Sequence, residues 1–265
     1  MKTAILQMPI KLEDFHTNLD TLRHMMASAM DQRPDAVLLP ELWDVGCYPH
    51  PISEHADPNG ERIRKVLSEL AAKYQVNIIG GSVAARINDN VLNTSYVFNR
   101  SGQLVASYEK THLFAPAGEK YDFTPGDKLV TYTIDGIKCA TLICYDIRFP
   151  EAARTLALQD IAVLFVPAAW PAARIMHWNT LLRARAIENE IFIAAASGTG
   201  ELDDAMHLGG HSQIIDPWGE ILATSEEGEA ILQANLKIAI RSQIRESIDV
   251  FTDRRPELYQ LDTEK

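Results

Sequence analysis

The sequence predicts an α/β sandwich, and two features of its hydrophobic pattern carry this prediction. In the first third of the chain, short apolar runs typical of strands alternate with amphipathic helical stretches, as in strand-helix-strand crossover units. In the middle, strand patterns follow one another around short turns, and a second strand-helix alternation comes after them. Two such halves with strand-rich middles suggest the α/β sandwich.

The first half begins with a strand at residues 3–8 and a helix over 15–32, where Leu19, Leu22, Met26 and Ala29 recur at helical spacing. A second apolar strand follows at 36–40, and a second helix follows over 60–74. The run "VNIIGGSV" at 76–83 then reads as one further strand. The order predicts crossover connections within a sheet.

The second half begins with hairpins. "TSYVFN" and "QLVASYEK" flank Arg-Ser-Gly, and "KLVTYTI" and "KCATLIC" flank Asp135-Gly136, which is a strong hairpin signal. A helix from Pro150 to about 159 and a helix over 177–189 then alternate with the apolar strands "AVLFVP" and "IFIAAAS". The last hairpin, "SQIIDPWGEILAT", turns at Pro-Trp-Gly.

Composition limits the function. The 265 residues fit one domain, and the net charge of -11 without a basic run makes nucleic acid and anionic membranes poor partners. No stretch has the length and apolar character of a signal peptide or a membrane span. The three cysteines follow no CxxC spacing and no HExxH motif is present, so we expect no disulfide framework, no metal and no cofactor, and a cytoplasmic location.

Three ionisable residues follow apolar strand patterns directly. Glu41 follows "AVLLP", Lys110 follows "QLVASYE", and Cys144 follows "ATLI". Functional groups in α/β sheets gather beyond the carboxyl ends of strands, so these side chains are candidates for one site.

A carboxylate, an ammonium and a thiol can work together in one reaction. A thiol attacks only as its thiolate and therefore needs a base or a nearby cation. A carboxylate in a partly apolar pocket can serve as that base, and a lysine ammonium can stabilise the thiolate and then the oxyanion of a tetrahedral intermediate. Glu41, Lys110 and Cys144 are together sufficient for acyl transfer.

Histidine is the alternative base in many cysteine hydrolases. His112 lies two residues beyond Lys110, and strand alternation would place both on the same side. We favour a His112 that hydrogen-bonds and orients a loop. His207 and His211, which lie near glycines, also read as structural.

At this point the motifs resemble a known family. "LLPELW" around Glu41, "YEKTHLF" around Lys110 and "LICYDIRFPE" around Cys144 together resemble the nitrilase superfamily of carbon-nitrogen hydrolases, in its amidase-like branches. Supporting stretches include "PAGEKYDFTPGD" and "GGHSQIIDPWGEIL". The resemblance therefore runs almost from end to end of the chain.

The resemblance implies a four-layer αββα sandwich in which residues 1–240 form the hydrolase domain. It implies that Glu41 is the general base, Lys110 the oxyanion stabiliser or proton donor and Cys144 the nucleophile. It also implies a second active-site carboxylate, Glu119, for which a surface charge is the alternative. Relatives pair through the helix after the nucleophile and the helix near 177–189, so we expect a homodimer or larger assembly, with the tail 241–265 on a neighbouring subunit.

The resemblance further implies hydrolysis of a small carboxamide through a cysteine thioester, with the backbone amide of Tyr145 beside Lys110 at the oxyanion. The favoured substrate is an ω-amide of a short oxo-dicarboxylate. A nitrilase, an N-carbamoyl amidohydrolase and a non-catalytic binding protein on the same fold are the alternatives. We expect Trp43, Phe114 and Trp170 to form pocket walls.

Two positions concern specificity. Many members carry Asn-Arg where this chain has Ser197-Gly198, followed by the acidic stretch "ELDDAM", and we expect this 197–206 loop to border the pocket. Arg148 could bind a substrate carboxylate, but an ion pair with Glu151 or Asp146 is the favoured interpretation.

Cys139 lies five residues before Cys144, on the opposite face of the same predicted strand. We expect Cys139 to be a buried hydrophobe.

Overall fold

The computed structural model describes residues 1–47, 51–203 and 206–259. The strands in chain order are β1 (Lys2–Gln7), β2 (Ala36–Leu38), β3 (Asp57–Pro58), β4 (Asn77–Ile79), β5 (Val83–Ile87), β6 (Asn90–Phe98), β7 (Leu104–Glu109), β8 (Thr131–Ile134), β9 (Ile137–Thr141), β10 (Val163–Ala168), β11 (Phe192–Ser197), β12 (Thr199–Asp203), β13 (Met206–Gly209), β14 (Gln213–Ile215), β15 (Ile221–Thr224) and β16 (Ala230–Asn235). The α-helices are α1 (Phe15–Ala29), α2 (Ile52–His55), α3 (Glu61–Tyr74), α4 (Glu119–Asp122), α5 (Pro150–Ala157), α6 (Ile175–Asn189) and α7 (Ile240–Ser247).

The strands form two mixed sheets and a separate hairpin. The first sheet has the order β16-β1-β2-β4-β6-β5-β3, with β7 also paired to β6, and the second has the order β15-β14-β11-β10-β9-β8. β12 and β13 form a two-stranded sheet of their own. β1, β2 and β4 run parallel, and so do β9, β10 and β11, as the crossover pattern predicts.

The side-chain alternation along the strands defines four layers. In β1, Ala4 and Leu6 belong to the core cluster that includes residues of α1 and α3, whereas Ile5 belongs to the cluster between the sheets. In β10, Leu164 packs in the cluster with α5 and α6, whereas Phe165 packs between the sheets. The layer order is therefore helices, sheet, sheet, helices, which confirms the αββα sandwich.

One strand prediction was wrong in extent. The stretch 76–83 is not one strand, because β4 ends at Ile79 and β5 begins at Val83. Gly81 has a φ of +63°, and a Cβ there would lie 2.0 Å from the carbonyl oxygen of Pro40. The chain turns sharply here against the segment that leads to Glu41, and only glycine fits that approach.

The hairpin prediction at Asp135-Gly136 is confirmed. Both residues have positive φ values, +47° and +77°, as a two-residue type I′ turn requires. β8 and β9 pair directly on either side of this turn.

The segment after residue 240 packs on its own chain. α7 buries Ile244, Arg241 and Arg245 both pair with Asp160, and Arg245 also pairs with Glu190. The packing of the tail on a neighbouring subunit remains a prediction, and its last residues, 260–265, lie outside the described part of the chain.

Candidate active site

The carboxyl ends of β2, β7 and β9 meet at one edge of the sandwich. Glu41 lies three residues past the end of β2, Lys110 follows β7 directly, and Cys144 lies three residues past β9. Lys110 Nζ donates to Glu41 Oε1 at 2.9 Å, and neither side chain is exposed to solvent. The Glu41 carboxylate also interacts with the Cys144 thiol. The structure therefore brings together the three side chains that the strand pattern singled out.

Cys144 has a strained backbone. It is the first residue of a 3-10 turn, Cys144–Arg148, and its φ is +46°, a value that a non-glycine residue rarely adopts. The turn directs the thiol away from the sheet and into the pocket described below. Strain of this kind persists only where the surroundings hold it.

Asp146 holds this turn. Its buried carboxylate accepts hydrogen bonds from the backbone N–H of Ile143 at 2.8 Å and from the Tyr108 hydroxyl at 2.8 Å. The backbone N–H of His112 donates to the same carboxylate at 2.9 Å, and the His112 ring Nδ1 lies 2.8 Å from it. The His112 ring also stacks on Phe149 at 3.8 Å. His112 therefore orients the nucleophile turn, as predicted, and is not placed as a base.

Glu119 is the second carboxylate of the site. It is buried at the start of α4, and Lys110 Nζ donates to both of its oxygens at 2.8 Å. The backbone N–H of Phe114 donates to Oε2 at 2.5 Å. The alternative of a surface charge is thereby excluded, and two carboxylates face one ammonium.

The protonation states follow from these contacts. Burial raises the pKa of the Cys144 thiol, and the Glu41 charge raises it further, while Lys110 lowers it. The resting thiol is therefore protonated and needs a base. Burial also raises the pKa of Glu119, against the lowering effect of Lys110. Both Glu119 oxygens nevertheless accept two hydrogen bonds each, which leaves little room for a proton, so the geometry is that of the carboxylate.

Two partners of the carboxylates were missed by the sequence analysis. Asn93, in the middle of β6, donates from Nδ2 to Glu41 Oε1 at 2.9 Å and to Glu119 Oε1 at 3.2 Å. The backbone N–H of Ala169 donates to Glu41 Oε2 at 2.9 Å. An asparagine inside the strand "VLNTSYVF" was the available signal, because a fully buried amide must find partners. A backbone donor leaves no signal in the sequence.

Cys144 lines a small pocket. The volume of this pocket, together with the open space at its mouth, is about 360 Å³. Phe114 and Trp170, two of the three expected walls, line it together with Tyr145, and the contact of these residues with substrate remains a prediction. The remaining lining residues are Arg148, Ala169, Pro171 and Arg174. The pocket thus combines an aromatic lining with two guanidinium groups.

Trp43 does not line this pocket, contrary to expectation. Its side chain is fully buried in the core cluster around α1 and α3, and its Nε1–H donates to the carbonyl of Gly80 at 2.9 Å. The indole thus packs the turn that carries Glu41.

The prediction that Arg148 forms an ion pair with Glu151 or Asp146 was also wrong. Asp146 is saturated by donors from the nucleophile turn and the lysine loop, and among the described residues Arg148 pairs with neither Asp146 nor Glu151. Its guanidinium instead lies 4.7 Å from the centre of the Trp170 ring and 3.4 Å from His177 Nδ1. Arg148 is therefore held at the pocket by an aromatic face.

The end of β11 and the hairpin that follows it contact the segment that lines the pocket. Ser197 Oγ accepts the backbone N–H of Trp170 at 3.2 Å, and Leu208 of the β12–β13 hairpin pairs with Pro171. The hairpin therefore adjoins a lining segment. Asp204 and Ala205, from the acidic part of the predicted 197–206 loop, lie outside the described residues.

Cys139 is fully buried between the sheets, as predicted, and burial raises the pKa of its thiol. Within the described ranges, no group of three or more His, Cys, Asp or Glu side chains is placed to hold a metal ion. The described helices include none that is long and apolar enough to cross a membrane.

Comparison with known proteins identifies the family of the chain. The sequence profile of the carbon-nitrogen hydrolase family matches residues 2–246. A 2-oxoglutaramate amidase of Bacillus subtilis is 43% identical over 225 residues, covering 85% of this chain and 86% of the relative. An omega-amidase of Yersinia enterocolitica is 36% identical over 256 residues, covering 96% of each chain.

Solved structures of this family have the same fold. A nitrilase-superfamily structure from Saccharomyces cerevisiae superposes with a TM-score of 0.90 at 29% identity, covering 96% of each chain. A mutant amidase from Nesterenkonia sp. has a TM-score of 0.82 at 26% identity, covers 94% of this chain and 98% of its own, and shows Michael addition of acrylamide at the active-site cysteine. The protein is a carbon-nitrogen hydrolase of the nitrilase superfamily.

Proposed function

We propose that this protein is an amidase that hydrolyses the ω-amide of a short oxo-dicarboxylate and releases ammonia. One observation carries the proposal: a nucleophile turn at the end of a pocket, with its thiol against a buried carboxylate that is itself held by a lysine. Glu41, Lys110, Cys144 and Glu119 then have the roles of base, oxyanion stabiliser, nucleophile and second carboxylate.

The reaction proceeds in two halves. Cys144 Sγ attacks the amide carbon as Glu41 takes the thiol proton, and the tetrahedral intermediate places its oxyanion near Lys110 and the backbone N–H of Tyr145. Glu41 returns the proton to the leaving nitrogen, so ammonia departs and a thioester remains. Glu41 then takes a proton from water, the hydroxide attacks the thioester, and the acid leaves as the proton returns to sulfur.

Glu119 acts through Lys110. Its two hydrogen bonds fix the ammonium beside Glu41, and its negative charge favours the positively charged form of the buried lysine. A lysine held in this way can donate to a developing oxyanion without first reorganising.

Two arginines support a substrate that bears a carboxylate. Arg148 and Arg174 line the pocket that holds Cys144, and neither forms an ion pair with a described acidic residue, although the full sequence has 36 Asp and Glu residues. Guanidinium groups bind carboxylates through paired hydrogen bonds. The names of the relatives, 2-oxoglutaramate amidase and omega-amidase, point to the same substrate class.

Ammonia release tests the proposal. The panel contains 2-oxoglutaramate, the neutral amide butyramide, butyronitrile and an N-carbamoyl amino acid. We expect the oxo-dicarboxylate amide to be hydrolysed with the highest kcat/KM. Faster turnover of the nitrile or the carbamoyl compound would favour the alternative enzymes, and no turnover of any amide would contradict the proposal. A Cys144→Ala variant with unchanged activity would exclude the nucleophile assignment.

We further propose that the protein is a cytoplasmic homodimer that pairs through α5 and α6. Leu158, which directly follows α5, and Met176 and Ile187 of α6 are exposed large apolar side chains that a partner would cover. The three cysteines are free and buried, which suits a reducing compartment. Light scattering of the purified protein should give twice the mass of one chain, and a single-chain mass at micromolar concentration would refute the dimer.

A further inference from the structure

Asn93 occupies an unusual place in the site. It lies on β6, and 1% of the residue is exposed. Its single side-chain nitrogen donates to one oxygen of Glu41 and one oxygen of Glu119, at 2.9 and 3.2 Å. Lys110 Nζ donates to the same two oxygens at 2.9 and 2.8 Å. Two donors and two acceptors thus alternate around a closed ring.

The ring explains how two buried carboxylates coexist. A buried carboxylate needs hydrogen-bond donors to replace water, and two facing carboxylates repel each other. Lys110 supplies only one positive charge for both. The Asn93 amide adds one N–H to each acid, and it neither carries a charge nor loses a proton over the working pH range.

The orientation of the amide is fixed by its partners. If the amide were turned over, its oxygen would point at two carboxylate oxygens, so only the donor orientation is favourable. In that orientation Asn93 Oδ1 has no hydrogen-bond partner among the described residues, although it is buried. Buried polar atoms usually have a hydrogen-bond partner, so an unpartnered Oδ1 has a cost. The two hydrogen bonds from Nδ2 to Glu41 and Glu119 offset that cost, which indicates that Asn93 is there to bind the two carboxylates.

The backbone of Asn93 supports the same group. Its carbonyl accepts the backbone N–H of Lys110 at 2.9 Å, so the strand residue that bridges the acids also fixes the start of the lysine loop. One residue therefore sets the positions of Glu41, Glu119 and Lys110 relative to one another.

We propose that Asn93 is a positioning residue of the reaction, whose amide holds Glu41 and Glu119 about Lys110 and keeps Glu41 available as a base. The proposal rests on the amidase chemistry proposed above and adds a residue to it. Among the described residues, the ionisable groups that face Glu41 are Lys110, Glu119, Cys144 and Cys47, each from a different segment. Asn93 does not line the pocket, so it should affect the chemical step more than substrate binding.

The test compares Asn93→Leu, which keeps the volume but removes the donors, with Asn93→Asp, which keeps the shape but replaces donors by acceptors. We expect kcat to fall about 100-fold in each, because a small displacement of a catalytic group costs that much, while KM changes less than about threefold. The acidic limb of the kcat/KM profile of Asn93→Leu should move to higher pH by at least about half a unit, because the carboxylates lose a donor that favours their charged form.

The matched control is Asn77→Leu. Asn77 is also fully buried. Its side chain donates to the carbonyl of Asp35 and to the Asp135 carboxylate, and neither partner belongs to the active site. It should lower the melting temperature without moving kcat or the pH profile. Equal effects of Asn77→Leu and Asn93→Leu on the profile, or a folded Asn93→Leu enzyme with unchanged kcat and acidic limb, would overturn the proposal.

A measurement without substrate separates this proposal from the proposed function. Carbon-13 labelling of the glutamate carboxyl groups allows the Glu41 and Glu119 signals to be titrated, with assignment by Glu41→Gln and Glu119→Gln. The midpoint of the pair should rise in Asn93→Leu, even if the natural amide has not been found. If Asn93→Leu does not fold, Asn93→Ser, which keeps one short donor, is titrated instead and should show a smaller rise in the same direction. An unchanged midpoint would refute the role of Asn93.

Discussion

Glu41 accepts a 2.9 Å hydrogen bond from the backbone N–H of Ala169, a residue 128 positions further along the chain. Glu41 follows a strand of the first sheet, and Ala169 follows the end of β10 in the second. The bond therefore ties the base to both sheets. With Oε1 held by Lys110 and Asn93, both oxygens of Glu41 have fixed donors, and the carboxylate is held against the thiol.

This arrangement makes Glu41→Gln a sharp test of the base. The amide keeps the size of the carboxylate and one oxygen acceptor, but it cannot take the Cys144 proton. We expect kcat for ammonia release to fall by about 100-fold or more, because general base catalysis contributes at least that much. The exposed Glu69→Gln, on α3, is the control and should leave kcat unchanged. A Glu41→Gln enzyme that keeps a tenth of the activity would show that the base lies elsewhere.

The same variant should make the Cys144 thiol more acidic, although it makes the enzyme less active. The negative charge of Glu41 raises the pKa of Cys144 and the positive charge of Lys110 lowers it. Glu41→Gln should therefore lower the thiol pKa, and Lys110→Met should raise it. The ultraviolet absorbance of the thiolate reports both, after subtraction of a Cys144→Ser titration that contains Cys47 and Cys139. Shifts in the same direction would contradict the electrostatic account of the site.

The two pocket arginines, Arg148 and Arg174, should favour a substrate that carries a carboxylate over a neutral amide. Arg148→Met and Arg174→Met remove a guanidinium but keep an apolar stem. For 2-oxoglutaramate, kcat/KM should fall about 10- to 100-fold, the effect of losing a hydrogen bond to a charged group, whereas butyramide should lose less than about threefold. Arg183→Met, on α6 outside the pocket, serves as the control. Equal losses for both amides would assign the arginines a structural role.

A surface cluster at the opposite end of the strands should stabilise the sandwich in a pH-dependent way. Arg100, between β6 and β7, lies 2.6 Å from both Asp35 and Asp135, and Asp135 belongs to the hairpin of the other sheet. Burial opposes ionisation of Asp35, but the Lys2 N–H and Arg100 together lower its pKa below the usual value. Stability from this contact is present above the unfolded pKa of aspartate and is lost as the pH falls through the lower native value.

Arg100→Ala should therefore lower the melting temperature near neutral pH, and the difference should shrink in acid. The control is Arg23→Ala, because the 3.6 Å contact of Arg23 with Asp20 is exposed to solvent and should contribute little. A melting-temperature difference that stayed constant down to strongly acidic pH would mean that Arg100 acts through packing rather than charge.

The sequence predicted the fold because the strand and helix patterns were locally consistent. The break between β4 and β5 was missed, since it depends on how closely Gly81 approaches Pro40 in space. The αββα layering came from the family resemblance, and the alternation of Ala4, Ile5 and Leu6 in the structure gives its physical basis.

The candidate site was predictable where side chains follow strands, and it was not where backbone groups or tertiary contacts decide. Glu41, Lys110 and Cys144 each follow a strand pattern, but the Ala169 donor depends on the second sheet meeting the first. Arg148 was assigned to Glu151 or Asp146 by proximity in sequence. Asp146 is saturated by the nucleophile turn and by His112, which leaves Arg148 to the pocket.

The central claim is that Cys144 carries the acyl group. Rapid acid quenching of the enzyme during turnover of 2-oxoglutaramate, followed by mass spectrometry of the intact chain and its peptides, tests it directly. The account predicts an adduct equal to the acid product minus water, confined to the peptide that contains Cys144 and absent from Cys144→Ala. Ammonia release by Cys144→Ala, or an adduct on Cys47 or Cys139 instead, would contradict it.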